Sequence, residues 1–311
     1  MPASLLYNRD KQERKGLVCK ERMTTKLRRL LKEKDYLMAP CAYDALTAKC
    51  IEASGFDLIG TTGYGMHGAM IGTPDTGLLG MNETVAALSK MQNAVDIPIL
   101  ADGEGGYGSA LNVIRMIREY EKTGIGGVFI EDQTQPPNCP FIMKPQLISK
   151  EEMVGKIKAA VDARRDDDLV IVARTDAPFE EAVERANAYM DAGADMVKIL
   201  PKTHEELLKL PKLVHGPIHL GLYVGKGIND GMTAKDCGEL GYKIITFPMS
   251  CLFAEVAAVM KVLKYIKENE MAEGYPGDLI AFNDYLKFIG VDKIKEYGKK
   301  YLKGPQYEGL F

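Results

Sequence analysis

Acidic residues carry the first chemical signal in this 311-residue chain. The segment ILADGEGGYG sets Asp102 and Glu104 two residues apart, which on an extended chain puts both carboxylates on one side. FIEDQ adds Glu131 and Asp132 at the end of another apolar run, and GTPDTG adds Asp75. Like charges gathered in a half-buried mouth are costly unless a cation neutralises them. A helix cap or a salt bridge explains any one of these acids equally well. The set points instead to Mg²⁺ or Mn²⁺, hard cations that take carboxylates and water and leave positions open for substrate oxygens. Histidines are few (67, 204, 215 and 219), and the six cysteines show no CxxC spacing, so a zinc cluster or disulfide framework is not expected.

Arg174 ends the very apolar run in IVARTDA, where its guanidinium suits either a bidentate carboxylate or phosphoryl group of a substrate or an internal ion pair with one of the acids. TTGYG, residues 61–65, brings small residues and backbone N–H groups suited to a carboxylate or oxyanion. Cys139 sits in EDQTQPPNCPFIMKPQ, a connection of about eighteen residues, long enough for a lid. Ser149 follows as a helix N-cap with Glu152 as its capping-box partner. On such a lid the thiol reads as a reactive group over the mouth, whereas Cys50 and Cys251 read as small buried hydrophobes. Tyr43 in PCAYDA is either a hydrogen-bond donor to the same ligand or a packed loop tyrosine.

Such residues need elements that gather them. Short apolar runs at Tyr36–Pro40, Asp57–Thr62, Ile97–Asp102, Gly127–Glu131, Leu169–Thr175, Met196–Leu200, Ile218–Leu222 and Lys243–Phe247 read as strands. Segments of helical period separate them, from Asp44–Ser54 to a last one at Ala254–Lys267. Eight strands, each followed by a helix, make a (β/α)₈ TIM barrel, whose C-terminal strand ends carry the chemistry. A doubly wound open sheet is the alternative, but no GxxxxGK follows a strand. Gly55, Gly124, Gly193 and Gly241 stand where left-handed helix caps are wanted. We divide the chain into residues 1–35, a flexible start with a charged amphipathic helix at Thr24–Lys34; residues 36–267, the catalytic barrel; and residues 268–311, a helical extension with Tyr and Phe on its apolar face. That extension either packs on a neighbouring subunit, making a homo-oligomer, or caps the barrel.

Composition excludes several classes. With 46% hydrophobic and 27% charged residues and no apolar run near the roughly 18–20 residues that span a bilayer, no membrane role is expected. Forty basic against 43 acidic residues leave a net charge of -3 and no electrostatic footprint for nucleic acid. The unpatterned cysteines and an N-terminus without an apolar signal core suggest a reducing, cytoplasmic setting.

PCAYDALTAKCIEASGFDLIGTTG, GTPDTG, DIPILADGEGGYG, IEDQ, ISKEEMVGKIKAAVDARRDDDLVIVARTDA and AGADMV, in this order over roughly residues 36–265, resemble the isocitrate lyase/phosphoenolpyruvate mutase superfamily. The resemblance implies a barrel that exchanges its eighth helix within a dimer, in a tetramer, with Mg²⁺ and an α-keto or enolpyruvyl-type acid at the strand ends. It matches Asp75, Asp102, Glu104 and Glu131 to metal-site acids, Thr62, Gly63 and Tyr64 to the segment holding the substrate carboxylate, and Arg174 to a substrate-binding arginine. It matches Cys139 to a lid cysteine that protonates the departing enolate. The chain departs from the lyase pattern at Leu200, where a glutamate is usual, at Gly221, where an asparagine is usual, and around Pro137–Phe141, where the cysteine lacks its basic and histidine neighbours. The implied function is a Mg²⁺-dependent carbon–carbon lyase acting on a 2-hydroxy or substituted malate-type acid. The alternatives are P–C bond chemistry on phosphoenolpyruvate or phosphonopyruvate, and a binding protein that has lost catalysis.

Overall fold

Alternation within the apolar runs sets the architecture. In VIVART, Val170 and Val172 belong to one buried cluster and Ile171 and Ala173 to another. The first cluster fills a barrel interior and the second lies between sheet and helices, as period-two side-chain geometry requires. The computed structural model describes residues 21–304 apart from 226, 227 and 229. Its strands are β1 (Leu37–Ala42), β2 (Ile59–Thr61), β3 (Ile99–Asp102), β4 (Gly127–Glu131), β5 (Val170–Thr175), β6 (Met196–Ile199), β7 (Ile218–Gly221) and β8 (Tyr242–Phe247). All are parallel and close in chain order into one barrel, β8 pairing with β1. This is the expected (β/α)₈ fold.

The helices are α1 (Met23–Glu33), α2 (Ala45–Ala53), α3 (Gly63–Ile71), α4 (Met81–Ala94), α5 (Ala110–Glu121), α6 (Lys150–Ala163), α7 (Phe179–Asp191), α8 (His204–Leu213), α9 (Ala234–Glu239), α10 (Ser250–Asn269), α11 (Phe282–Phe288) and α12 (Val291–Tyr301). Leu27 and Leu30 of α1 join the interior cluster and plug the barrel beneath Leu37, Leu58 and Leu100. The flexible start expected before α1 lies outside the described residues. Ser149 caps α6 by accepting the Glu152 N–H at 3.1 Å, and the four expected helix-capping glycines all take positive φ. One helix was not anticipated: α3 begins at Gly63, inside the segment read as a Gly-rich turn.

The chain forms two compact units divided between Ala254 and Glu255. The first holds the barrel. The second contains most of α10, then α11 and α12, and no residue of α10 or α11 is buried. No helix among the described residues is long and apolar enough to cross a membrane.

Candidate active site

Alternation also decides what faces the upper barrel interior. Asp102, Glu131, Arg174, Lys198, His219 and Thr246 continue the inward rows that begin lower down with residues such as Leu100, Phe129, Val172, Met196 and Ile244. They bring polar groups to the C-terminal end of an otherwise apolar barrel.

Three carboxylates meet at one point. A Cβ built on Gly63 would lie 2.8 Å from Glu104 Oε1, 3.3 Å from Asp102 Oδ2 and 3.4 Å from Asp75 Oδ1. Glycine is needed there because any side chain would fill the space the three oxygens face. The Gly63 N–H donates to Asp102 Oδ2 at 2.9 Å, and the Thr61 hydroxyl accepts the Asp102 N–H at 2.8 Å. Glu104 arrives differently from the alternation expected of an extended chain. The strand stops at Asp102 and Glu104 takes φ 49°, a left-handed conformation uncommon for a side-chain residue and frequent at functional sites. Its N–H donates to Asp102 Oδ1 at 3.0 Å, and its carbonyl accepts the Glu131 N–H at 2.9 Å. The turn thereby ties the ends of β3 and β4 together.

Burial, then mutual repulsion, makes Asp75, Glu104 and Glu131 hard to ionise without a cation. Burial and the Asp102 charge push Asp75 up to about 6. Glu104 is raised well above the usual carboxylate range by burial and by Asp102, Asp75 and Glu131, and burial raises Glu131 against the pull of Arg174. Oxygen donors with this need for positive charge fit a hard divalent cation. His67 brings a ring nitrogen close to Asp75 and Glu104, yet neither nitrogen is free for a metal. Nε2 accepts the Leu78 and Leu79 N–H groups at 3.1 and 3.2 Å, which leaves the proton on Nδ1 to donate to the Gly63 carbonyl at 2.9 Å. His67 is thus a clamp between α3 and the GTPDTG loop, and the donors available to a cation are carboxylates.

Arg174 is committed to an internal ion pair, one of the two readings of its position. Its guanidinium meets Glu131 Oε2 at 2.9 Å and both oxygens of Asp176 at 2.9 and 3.1 Å. Gln133 Nε2 donates to Asp176 Oδ2 at 2.8 Å and Gln133 Oε1 accepts the Asn138 N–H at 3.0 Å, so the lid is linked through Gln133 to the arginine. The Cys139 N–H donates to the Asp75 carbonyl at 3.1 Å, fastening the same lid to the carboxylate corner. Cys139 is 7% exposed and lines the cavity, and burial raises its thiol above its ordinary value. The enclosed space is about 50 Å³. At roughly 10–15 Å³ per water that is room for a few waters, or a small acid.

Two of the expected residues sit elsewhere. Asp132, adjacent to Glu131, points away from the interior by strand alternation and pairs with Arg185 at 3.2 Å and the Tyr189 hydroxyl at 2.9 Å. Tyr43 is buried in the cluster between sheet and helices, its ring against Gly65 of α3, and is not among the cavity-lining residues. Thr62 and Tyr64 do line the cavity, though the Gly63 N–H read as free for an oxyanion is taken by Asp102.

Sequence reading overlooked Lys198, which lines the cavity, and His219, its neighbour on β7 buried beside the Thr246 that also lines it. Lys198 Nζ lies 4.0 Å from the Phe129 ring centre, and burial with the nearby Arg174 charge pulls its ammonium down to about 8. His219 Nε2 is 2.9 Å from the Thr246 hydroxyl, and burial holds the ring neutral. A lysine or histidine in the middle of MVKIL or IHLGL was the available signal, since apolar strand interiors do not take such residues without a use.

Residues 27–267 match the family profile described as phosphoenolpyruvate phosphomutase. The chain is 37% identical over 284 residues to 2,3-dimethylmalate lyase of Eubacterium barkeri, covering 90% of this chain and 98% of that one. A crystal structure of a 2,3-dimethylmalate lyase superimposes with a TM-score of 0.85 at 28% identity, covering 93% of this chain and 98% of that one. Phosphonopyruvate hydrolase in complex with oxalate and Mg²⁺ superimposes at 0.83 and 29% identity, over 91% of this chain and 100% of the hydrolase.

Proposed function

The chain belongs to the phosphoenolpyruvate phosphomutase family, within the isocitrate lyase/phosphoenolpyruvate mutase superfamily, and we propose that it is a Mg²⁺-dependent carbon–carbon lyase. Its substrate is a substituted malate-type 2-hydroxy acid, split to an α-keto acid and a second carboxylic acid. What supports this reading is one cavity in which the carboxylate oxygens converging beside Gly63 share walls with Arg174 and the Cys139 thiol.

Asp75, Asp102, Glu104 and Glu131 would hold Mg²⁺, directly or through water, and the ion would supply Lewis-acid polarisation of a substrate oxygen. Thr62 and Tyr64 bound the place where the C1 carboxylate lies, at the start of α3 where helix N–H groups favour anions. Arg174 reaches the same C1 carboxylate by exchanging it for Glu131 or Asp176. The C2–C3 bond breaks with its electron pair left on C3, as an enolate of the adjoining carboxylate, while the C2 hydroxyl gives its proton to one of the carboxylates lining the cavity and becomes the keto oxygen. The Cys139 thiol, protonated at neutral pH because burial raises it, delivers a proton to C3. The lid fastened to Asp75 and Gln133 keeps water from the enolate. Tyr43 acts indirectly, by supporting α3 at Gly65.

We keep residues 36–267 as the catalytic barrel, with 1–35 and 268–311 as extensions. A reducing cytoplasm and a homo-oligomer complete the proposal, and the free thiols of Cys41, Cys139 and Cys237 accord with the first. The test is to incubate the purified protein and Mg²⁺ with substituted malates, citrates and phosphonopyruvate, and to follow keto-acid and phosphate release. Release of keto acid from a malate-type acid, abolished by chelator, is expected. Phosphate and pyruvate from phosphonopyruvate alone would transfer the site to P–C chemistry.

A further inference from the structure

Lys198 is placed for a task that the carboxylate corner and the lid leave undone. It faces the barrel interior from β6, in register with Arg174 on β5 and His219 on β7, and lines the same cavity as Asp102, Glu131 and Cys139. Only 7% of it is exposed. Among the described residues its ammonium makes no hydrogen bond and no ion pair, and its one close partner is the face of Phe129. The other deeply buried lysine is unlike it. Lys156 donates to the Gly105 carbonyl at 2.9 Å.

A buried ammonium with three unused N–H donors is costly unless an anion meets it. The protein's own acids do not. Glu131 and Asp176 are spent on Arg174, and Asp75, Asp102 and Glu104 turn toward the point beside Gly63. A ligand anion in the cavity would find Lys198 without displacing any partner, whereas at Arg174 it must displace Glu131 or Asp176. The apolar neighbours Phe129 and Leu200 exclude water there, which strengthens a charge-assisted contact.

We propose that Lys198 binds the second carboxylate of the substrate and makes the cavity selective for dicarboxylic over monocarboxylic 2-hydroxy acids. This rests on the reading of the site as one for 2-hydroxy acids, and the two can fail separately.

The test is isothermal titration of the Mg²⁺-loaded protein with a matched pair, DL-malate and DL-2-hydroxybutyrate, which differ by a carboxylate in place of a methyl group. The wild-type protein is expected to bind malate at least tenfold more tightly. In Lys198→Met that preference should fall to near parity through loss of malate affinity, with 2-hydroxybutyrate affinity kept. Lys198→Gln gives the same comparison should the methionine variant fail to fold. A variant that keeps the malate preference, or that loses both acids equally, overturns the assignment of Lys198. Wild-type protein that binds neither acid overturns the reading of the site itself.

Discussion

Asp102 has a position no other acid shares: one oxygen accepts the Gly63 N–H beside the convergence point, and the other accepts the Glu104 N–H that holds the strained turn. Asp102→Ala should therefore abolish both Mg²⁺-dependent turnover and the rise in melting temperature on adding Mg²⁺. Unchanged activity in that variant, or full wild-type activity in excess chelator, would remove the metal from the mechanism. The raised acids give a pH dependence with a definite sign. Asp75 moves from its ordinary 3.8 to about 6 on folding, so in that window the folded, metal-free chain binds more protons than the unfolded chain. Stability without metal then falls as pH rises through about 4 to 6, and a cation has most repulsion to relieve above it. The Mg²⁺-induced shift in melting temperature should be larger at pH 7.5 than at pH 5.0, and an equal or reversed shift would show that Asp75 does not face the cation. Cys139 yields a kinetic expectation. Serine is a far weaker acid than a thiol, so Cys139→Ser should lower kcat by about 10²–10⁴-fold with KM little changed. Wild-type kcat would assign the proton to another donor. These acids and this cysteine were legible because they close apolar runs or sit in a long loop. Lys198 and His219 were not, because attention to the last residue of each strand passes over a polar residue two places earlier on the same inward row.

At the scale of elements, the strands could be read almost to the residue, since their ends are where period-two apolar runs meet glycine or acid; β4 falls on Gly127–Glu131 as expected. Helix α3 could not. GYGMHGAMI contains three glycines and lacks any amphipathic stripe, and it is helical because tertiary contacts hold it: Tyr43 against Gly65, and the His67 ring between the Gly63 carbonyl and the GTPDTG loop. His67 is therefore the means by which an unpromising helix and an irregular loop present Gly63 and Asp75 to the same point. His67→Phe keeps the ring volume but leaves the buried Leu79 N–H, and the part-buried Leu78 N–H, without an acceptor. It should cost about 1–3 kcal/mol in denaturant unfolding. It should also weaken Mg²⁺ binding by freeing the Asp75 loop. Loss of stability with unaltered Mg²⁺ affinity would make the clamp purely structural.

At the scale of the molecule, the two compact units differ in how they treat apolar surface. The barrel unit buries its own inside two clusters. In the second unit, Val256, Val259, Met260 and Leu263 recur at helical spacing along α10, and none is buried, with Met260 66% exposed. Phe282 of α11 is 76% exposed, beyond Leu279 and Ile280, which are also exposed. Exposed apolar stripes of this kind commonly mark interaction faces. The Tyr and Phe of residues 268–311 carried that expectation for the tail, whereas the α10 stripe lies in the helix read from the sequence as the last of the barrel, Ala254–Lys267, which in the structure begins at Ser250. We expect a second copy of this chain to cover it, because closed homo-oligomers bury such faces at modest cost in specificity. Light scattering at micromolar concentration should give a dimer or tetramer mass. Met260→Glu combined with Leu263→Glu puts two carboxylates into the stripe without touching the cavity, and should shift the mass to that of one chain while leaving Mg²⁺ binding by the barrel in place. A wild-type mass of one chain would return the tail to the other reading of its apolar face, a cap on its own barrel.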